Sequence, residues 1–248
     1  MDGEFRIDRR SGVSAWRQIA DRISRAIEAG DYDDTGMVPP EMLLAERFGV
    51  NRHTVRNAIA ALVEDGMLRR VQGRGTLIEK RERLVYPVGR RTRFSEGLSG
   101  QAADTDIRLV SEQEMEAAGP VAGALVLAPG ATVICLRTLS FADGIPVARA
   151  THYFSHARFA GIGGLLSKHR SVTHALAAFG VDDYVRLSTE VTARMASTEE
   201  AGELRLGASP IVLETVAVNA DPEGVPIQYS RTLFAADRIA LRLDTPAG

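Results

Sequence analysis

The segment at residues 39–76 constrains this chain more than any other, because it combines two short helices with a glycine-containing hairpin. Its sequence is PPEMLLAERFGVNRHTVRNAIAALVEDGMLRRVQGRGT. Proline suits the first turn of a helix that begins near Pro40, and Gly49 can take the left-handed conformation that ends it. Asn51 can cap a further helix that runs through Glu64, with Gly66 closing it. Strands at 67–71 and 76–78 then flank a turn at 72–75.

This order of elements, preceded by a helix at 14–29, is typical of a winged helix-turn-helix. A recognition helix enters the DNA major groove with its N-terminal residues nearest the base edges. Arginine at that end can pair with guanine, and Asn or Thr can contact phosphates or bases. Glycines in the hairpin let arginines approach a minor groove or a phosphate. The predicted DNA-binding residues are Glu41, Asn51, Arg52, His53, Thr54, Arg56, Arg70, Gln72, Gly73, Arg74 and Gly75.

The overall charge of the chain says little about nucleic acid. The 248 residues carry a net charge of −2, and only residues 69–83 are clearly basic, with six cations and two anions. The placement of the arginines therefore carries the argument. The single cysteine, Cys135, lies in an apolar run and is interpreted as a buried strand residue rather than a reactive thiol. Because no leader or bilayer-length apolar run is found, we expect a cytoplasmic protein that contacts no membrane.

An internal repeat organises the second part of the chain. Residues 122–154 and 201–234 both run from a short helix into a strand, a hairpin turn and a second strand. The strands alternate apolar and polar residues, as in a sheet with one buried face. We predict one antiparallel sheet covered by helices near 171–179 and 198–206. The fold class is then α+β, with a DNA-binding domain at 1–80, a linker at 81–92 and a second domain at 93–248.

The first domain resembles the N-terminal domain of the GntR superfamily of transcriptional regulators. The residues that carry this resemblance are Pro39-Pro40-Glu41, Leu44-Ala45, Phe48-Gly49-Val50-Asn51-Arg52-His53-Thr54-Val55-Arg56, Ala58, Leu62, Gly66 and Gly73-x-Gly75-Thr76. The sequence departs from the family at Pro40 and Asn51, where serine is common. These departures affect helix capping and backbone contacts but remove no cation.

The second domain is similar to the UTRA effector-binding domain of the HutC subfamily, whose fold is like that of chorismate lyase. The residues that carry it are Arg93-Phe94-Ser95, Arg137, residues 143–146, 152–154, 171–173 and 235–238. Within that subfamily, the runs VNRHTVRNAI, RFSEGL, HYF and DYVRLSTEVTAR most resemble regulators of phosphonate utilisation.

The resemblance implies an anionic effector. In relatives that bind sugar phosphates, the positions of Phe94-Ser95, Arg137 and Ser171 surround the phosphate, and guanidinium and hydroxyl donors suit such a dianion. Arg137 lies in an apolar strand, so either an anion neutralises it or it faces outward. Ala150 and Gln228 replace acids that hold the sugar, which favours a small phosphonate or phosphate ester over an amino sugar. The expected effector residues are Arg93, Phe94, Ser95, Arg137, His152, Tyr153, Ser171, Thr173 and Arg186. Tyr153 and Arg186 are the weaker candidates among these, and Tyr184, Tyr229 and Arg231 are further weaker candidates.

Two of these assignments have open alternatives. His152 either donates a hydrogen bond to the ligand or forms one with a residue of a neighbouring strand. Tyr153 either contacts the ligand or packs against other side chains, which is the usual role of a tyrosine in a strand.

We therefore expect a homodimeric repressor that binds operator DNA and responds to a small phosphonate or phosphate ester. An alternative is a regulator of the same type that responds to a sugar phosphate or a carboxylate metabolite. An enzyme is the rival class, but no catalytic residue, metal site or cofactor is expected, because the sequence has no metal cluster, nucleophile elbow or phosphate-binding loop. A DNA binder without a ligand would leave the second domain unexplained.

Overall fold

The chain folds into two units whose boundary lies between Glu82 and Arg83. The computed structural model describes residues 7–8, 11–79, 83–91, 93–206 and 210–243. Within these ranges, no helix is long and apolar enough to cross a membrane.

The first unit combines helices with a small antiparallel sheet. Its elements in chain order are α1 (Ala15–Glu28), β1 (Met37–Val38), α2 (Glu41–Phe48), α3 (Arg52–Glu64), β2 (Leu68–Val71) and β3 (Gly75–Ile78). The strands pair in the order β1-β3-β2. Apolar residues at helical spacing, among them Ile19, Ile23, Leu44, Val55 and Ile59, form a buried core. This arrangement is the winged helix-turn-helix that the sequence predicts.

Two local interactions define the turn between α2 and α3. Gly49 adopts a φ of +61°, in the left-handed region, directly after the last residue of α2. The Asn51 side-chain oxygen accepts a hydrogen bond from the backbone N–H of Thr54 at 2.8 Å and caps α3. Both signals lie within three residues of the start of α3, so the sequence alone predicts where this helix begins.

The second unit is built around a six-stranded antiparallel sheet. Its elements are β4 (Leu84–Pro87), α4 (Phe94–Gly97), β5 (Thr105–Glu116), α5 (Gly119–Ala124), β6 (Thr132–Ala142), β7 (Ile145–Ser155), α6 (His156–Phe159), α7 (Ile162–His169), α8 (Val172–Ala177), β8 (Val185–Met195), α9 (Thr198–Glu203), β9 (Ile211–Ala220), β10 (Pro226–Ala235) and β11 (Ile239–Arg242). The sheet has the order β5-β6-β7-β10-β9-β8. The predicted α+β class is confirmed.

The large sheet consists of two similar halves. One half is β5-α5-β6-β7 and the other is β8-α9-β9-β10, and the halves meet where β7 pairs with β10. Each hairpin turn contains a glycine with positive φ, +76° at Gly144 and +84° at Gly224. This arrangement agrees with the predicted duplication and makes β5 and β8 the two edge strands.

Different helices cover the two faces of the sheet. The front face carries Leu136 and Phe154, which pack against α6, α7 and α8. The back face carries Val133, which packs against α5, and Leu233, which packs beside the end of α9. Since side chains alternate along a strand, neighbouring residues of β6 and β7 belong to opposite faces.

The predicted linker at 81–92 is partly wrong, because it contains a strand of the second unit. β4 pairs in parallel with β11, where Tyr86 lies opposite Leu241. Tyr86 is buried and its ring lies 4.9 Å from that of Phe234. The strand is short and its partner is more than 150 residues away in the chain, so local periodicity gave no indication of it.

Replacing Asn51 with alanine should destabilise α3 by about 1 kcal/mol, because the helix loses its cap. That loss corresponds to roughly fivefold faster amide hydrogen exchange in the first turns of α3 when exchange follows local opening. Ser14 occupies the N-cap position of α1 without a side-chain cap bond, so Ser14→Ala is a matched control with little expected effect on α1. Equal losses in the two variants would contradict the capping assignment.

Candidate functional site

The first turn of α3 presents polar and cationic side chains to solvent. Asn51, Arg52, His53 and Arg56 are exposed, whereas Val55 is buried in the helical core. Thr54 is half-buried, and its hydroxyl donates to the side-chain oxygen of Asn51 at 2.9 Å. The exposed side of this turn is therefore free of core packing and can enter a groove.

Glu41, at the start of α2, holds three arginines from different elements. Its carboxylate accepts from Arg52 Nε at 2.9 Å and from Arg56 Nη2 at 3.3 Å, and it lies 3.8 Å from Arg70 Nη2. Burial alone would raise the pKa of Glu41, but the hydrogen bonds from Arg52 and Arg56 outweigh it and lower the pKa below its ordinary value. The carboxylate thus stays ionised and positions cations of α3 and β2 on one surface.

The turn between β2 and β3 forms the wing. Gln72, Gly73 and Arg74 are exposed, and the Arg74 backbone N–H donates to the Val71 carbonyl at 3.0 Å. Gly75 has a φ of +106°, which an L side chain rarely adopts. The glycines therefore allow a tight turn that leaves the Arg74 side chain at its tip.

The second unit contains a cavity of about 90 Å³ on the front face of the sheet. A single buried water needs roughly 10–15 Å³ on the same measure, so the cavity can hold a small molecule. Six of the predicted effector residues line it: Arg93, Phe94, His152, Ser171, Thr173 and Arg186. The side chain of Ser95, also predicted, lies outside the described part of the structure.

The lining of the cavity is cationic and otherwise neutral. Arg93 and Arg186 are its charged members, and among the described residues no Asp or Glu lines it. Arg93 also reaches Asp183, with Nη2 3.2 Å from Oδ1, and its guanidinium lies 5.1 Å from the centre of the Tyr184 ring. An anion entering the cavity would therefore meet two guanidiniums, of which Arg93 is also paired with Asp183, an acid outside the lining.

Small hydroxyl side chains form much of the cavity floor, and sequence reasoning missed them. Thr138, Ser140, Thr215 and Ser230 are buried and line the cavity from the strands β6, β9 and β10. The available signal was a run of small polar residues at alternate positions of otherwise apolar strands. Such residues are costly to bury unless they have hydrogen-bond partners or face a polar ligand.

His152 lies at the centre of this floor and is part of a chain of hydrogen bonds. Its Nε2 lies 3.2 Å from Thr138 Oγ1, and its Nδ1 lies 2.9 Å from Gln228 Nε2. Gln228 Oε1 accepts from Asn219 Nδ2 at 2.6 Å, and Asn219 Oδ1 accepts from Arg186 Nε at 3.4 Å. Burial lowers the pKa of His152 to about 4, so the imidazole is neutral near pH 7.

Arg137, also predicted to bind the effector, does not lie with the other predicted effector residues, because its side chain is on the back face of the sheet. Its neighbour Thr138 lines the cavity, whereas Arg137 forms ion pairs with Glu199 and Glu203 on or beside α9, at 2.5 and 3.5 Å. Arg149 shares both glutamates. Acids of the chain itself, rather than a ligand, therefore compensate this half-buried arginine.

Tyr153 also lies apart from the other predicted effector residues and does not line the cavity. It lies on the back face, where it packs with Val133 and its ring centre is 5.9 Å from that of Tyr229. Arg231, a weaker candidate, pairs with Glu214 on the same face. Cys135 is buried beside Tyr153, and burial raises the pKa of its thiol. Of the weaker candidates, Tyr184 and Arg186 line the cavity.

Comparison with known proteins agrees with this two-part architecture. The family described as bacterial regulatory proteins, gntR family, matches residues 16–78, and the UTRA domain family matches residues 100–240. An uncharacterised HTH-type transcriptional regulator of Rhizobium meliloti is 53% identical over 96% of this chain and 98% of its own length. The probable transcriptional regulator PhnF of Escherichia coli is 32% identical over 92% of this chain and 94% of its own.

A solved structure shares the whole fold. The crystal structure of PhnF from Mycobacterium smegmatis has a TM-score of 0.63 and 25% identity, and the match covers 93% of this chain and all of that one. The PhnF of Mycolicibacterium smegmatis carries the name HTH-type transcriptional repressor; it is 26% identical over 90% of this chain and 88% of its own length. These matches agree with the winged helix-turn-helix and with the second unit that holds the cavity. The chain therefore belongs to the GntR family of bacterial transcriptional regulators and carries a UTRA domain as its second unit.

Proposed function

We propose that this protein is a repressor whose first unit binds operator DNA and whose cavity binds a small phosphonate or phosphate ester. The observation that carries the proposal is the cavity wall, where Arg93 and Arg186 are accompanied by neutral hydrogen-bond donors. No acidic side chain among the described residues lines that wall. The protein acts in the cytoplasm as a binding protein and carries out no catalysis.

The DNA-binding surface consists of the first turn of α3 and the wing. Arg52 and Arg56 each present about half of their side chain to solvent, 54% and 46%, while Glu41 holds one edge of each guanidinium. An arginine has five N–H donors, so both retain donors for guanine or phosphate. Asn51, His53 and Thr54 complete the helix surface, and Arg70, Gln72, Gly73, Arg74 and Gly75 form the wing surface.

The effector class follows from charge and size. A dianion gains charge-assisted hydrogen bonds from two guanidiniums, whereas an ammonium group would meet two like charges and no carboxylate on the described wall. Ser171 and Thr173 add hydroxyls at the start of α8, and Phe94 closes the cavity with apolar surface. A small phosphonate or phosphate ester fits these properties better than an amino sugar does.

Effector binding in the cavity can alter repression only if it is thermodynamically linked to operator binding. A relative of the same architecture carries the name repressor, and we extend the role of repressor to this chain. A ligand can change operator affinity only if it binds better to one of two conformations of the protein. Arg93 and Phe94 lie at the start of α4 and line the cavity, soon after the boundary between the units, so ligand binding there can change how the first unit is held.

We further propose that the protein is a homodimer, joined through the uncovered half of the front face. Val191, Met195 and Ile211 are 40%, 58% and 50% exposed. Val191 pairs with Thr215, which lines the cavity, and Met195 pairs with Ile211, so all three share the front face. The helices α6 and α7 pack over β5, β6 and β7 instead. A second copy of the chain would cover this apolar stripe and pair two DNA-binding units for a palindromic operator.

Arg52→Ala should weaken binding to the specific operator by roughly 1–3 kcal/mol, because a base contact is lost. Arg17 is an exposed arginine of α1 whose guanidinium lies over the Trp16 ring, and it is not one of the three arginines that Glu41 holds. Arg17→Ala is therefore the matched control and should leave specific binding nearly unchanged. Fluorescence anisotropy with operator and scrambled DNA measures both, and unchanged operator affinity of Arg52→Ala contradicts the recognition-helix assignment.

Arg186→Met should reduce affinity for methylphosphonate or a small phosphate ester by roughly 10- to 100-fold, because a charged hydrogen bond is lost. Arg137→Met, which removes an arginine from the back face, should retain the wild-type affinity. Isothermal titration calorimetry, with thermal shifts measured relative to each variant without ligand, reports the difference. If Arg137→Met loses binding while Arg186→Met keeps it, the cavity is not the effector site.

Val191→Glu combined with Met195→Glu should yield a monomer, because the substitutions replace two exposed apolar side chains of the proposed interface with negative charges. Val225 is similarly exposed, at 51%, but lies in the turn before β10, so Val225→Glu is the control. Light scattering coupled to size-exclusion chromatography gives the mass of each variant. A dimer that persists in the double variant rules out this face.

A further inference from the structure

A continuous row of hydrogen bonds crosses the cavity floor, with one side chain from each of five adjacent strands. Thr138 belongs to β6, His152 to β7, Gln228 to β10, Asn219 to β9 and Arg186 to β8. Thr138, Asn219 and Gln228 are no more than 4% exposed. We refer to these five residues as the floor relay. Its members must satisfy one another, because water has little access to them.

The direction of every hydrogen bond in the floor relay follows from one end. A guanidinium can only donate, so Asn219 must turn its oxygen towards Arg186 Nε, 3.4 Å away. The Asn219 amide N–H₂ then donates to Gln228 Oε1 at 2.6 Å. This leaves the Gln228 N–H₂ to donate to His152 Nδ1 at 2.9 Å.

The same logic fixes the proton of the imidazole. Nδ1 accepts from Gln228, so the proton of neutral His152 lies on Nε2 and points at Thr138 Oγ1, 3.2 Å away. Thr138 accepts this bond, and its own hydroxyl proton is left to donate elsewhere. Thr138 lines the cavity, so the acceptor for that proton can be a bound molecule.

The opposite polarity is also a complete set of hydrogen bonds, and only Arg186 excludes it. If both amides were turned over, Asn219 would direct its N–H₂ group at the guanidinium, and two donors would face each other. Buried donors without acceptors cost about 1–3 kcal/mol each. One cation at β8 therefore sets the proton positions as far as β6.

We propose that the floor relay is a specificity determinant that makes Thr138 a hydrogen-bond donor, so that the effector must place an unprotonated oxygen against it. This inference rests on the proposed function of the cavity as the effector site. An anionic phosphonate, phosphate or carboxylate oxygen accepts from Thr138, whereas an ammonium group there has no lone pair and leaves the threonine proton without an acceptor. Asn219 and Gln228 act as positioning residues, since they transmit the polarity of Arg186.

The polarity can be tested on the full-length protein without any ligand. Two-bond ¹⁵N–¹H correlation spectra of the imidazoles distinguish a proton on Nε2 from one on Nδ1, and His152→Asn identifies the signal among the five histidines of the chain. The wild type should carry its proton on Nε2. Gln228→Glu supplies only acceptors, so Nδ1 should become protonated, while the nearly isosteric side chain preserves the packing. A wild-type proton on Nδ1 overturns the inference.

The functional consequence is tested with methylphosphonate, methyl phosphate and acetate as probes. In calorimetric titrations Thr138→Val should bind the tightest of these probes roughly 10- to 100-fold more weakly, since a hydrogen bond to a charged group is lost. Thr138→Ser should restore affinity to within about threefold. Thr151 lies on β7 outside the cavity lining, opposite the back-face residue Arg137, so Thr151→Val is the matched control.

The outcomes separate this inference from the proposed function. If a probe binds wild type and Thr138→Val equally well, the specificity role of Thr138 is refuted while the effector site stands. If none of the three probes binds the wild type, the proposed function fails and the specificity role with it. In that case the position of the His152 proton still decides the polarity of the floor relay.

Discussion

Polar side chains can be buried only when each finds a partner, and the front face of the large sheet depends on this constraint. Thr138, His152, Gln228 and Asn219 would each be costly alone between apolar neighbours. Joined in one row that begins at Arg186, they cost far less and become a preformed floor. The cavity floor therefore depends on hydrogen bonds between polar side chains of neighbouring strands. The same side chains that complete the core also line the site.

The chain has a net charge of only −2 although the proposed DNA-binding surface is rich in arginine, and acids pair with arginines in both units. Glu41 gathers Arg52, Arg56 and Arg70 in the first unit. On the back face of the sheet, Glu199 and Glu203 compensate Arg137 and Arg149. Ion pairs with exposed arginines add little stability, so the contribution of Glu41 is chiefly to orient the guanidiniums of Arg52 and Arg56.

Elements whose ends are encoded locally could be predicted from the sequence, and those that depend on distant pairing could not. Gly49 and Asn51 define the helix-turn-helix within a few residues, and the repeated hairpin turns at Gly144 and Gly224 reveal the duplication. By contrast, the edge strands β5 and β8 are largely exposed and show no regular alternation of buried and exposed residues. β4 is a strand only because β11 lies beside it.

The sequence by itself determined the class of protein: a winged helix-turn-helix joined to an α+β effector domain of the GntR and UTRA families. Most of the effector residues that it predicted, among them Arg93, His152, Ser171, Thr173 and Arg186, do line one cavity, but they are a minority of the residues in its wall. Only the tertiary structure decided that Arg137 and Tyr153 lie on the opposite face. The reason is that side chains alternate along a strand, so a residue and its neighbour differ completely in surroundings. Which face of the sheet lines the cavity depends on helices and glutamates that are distant in the chain from the strand residues.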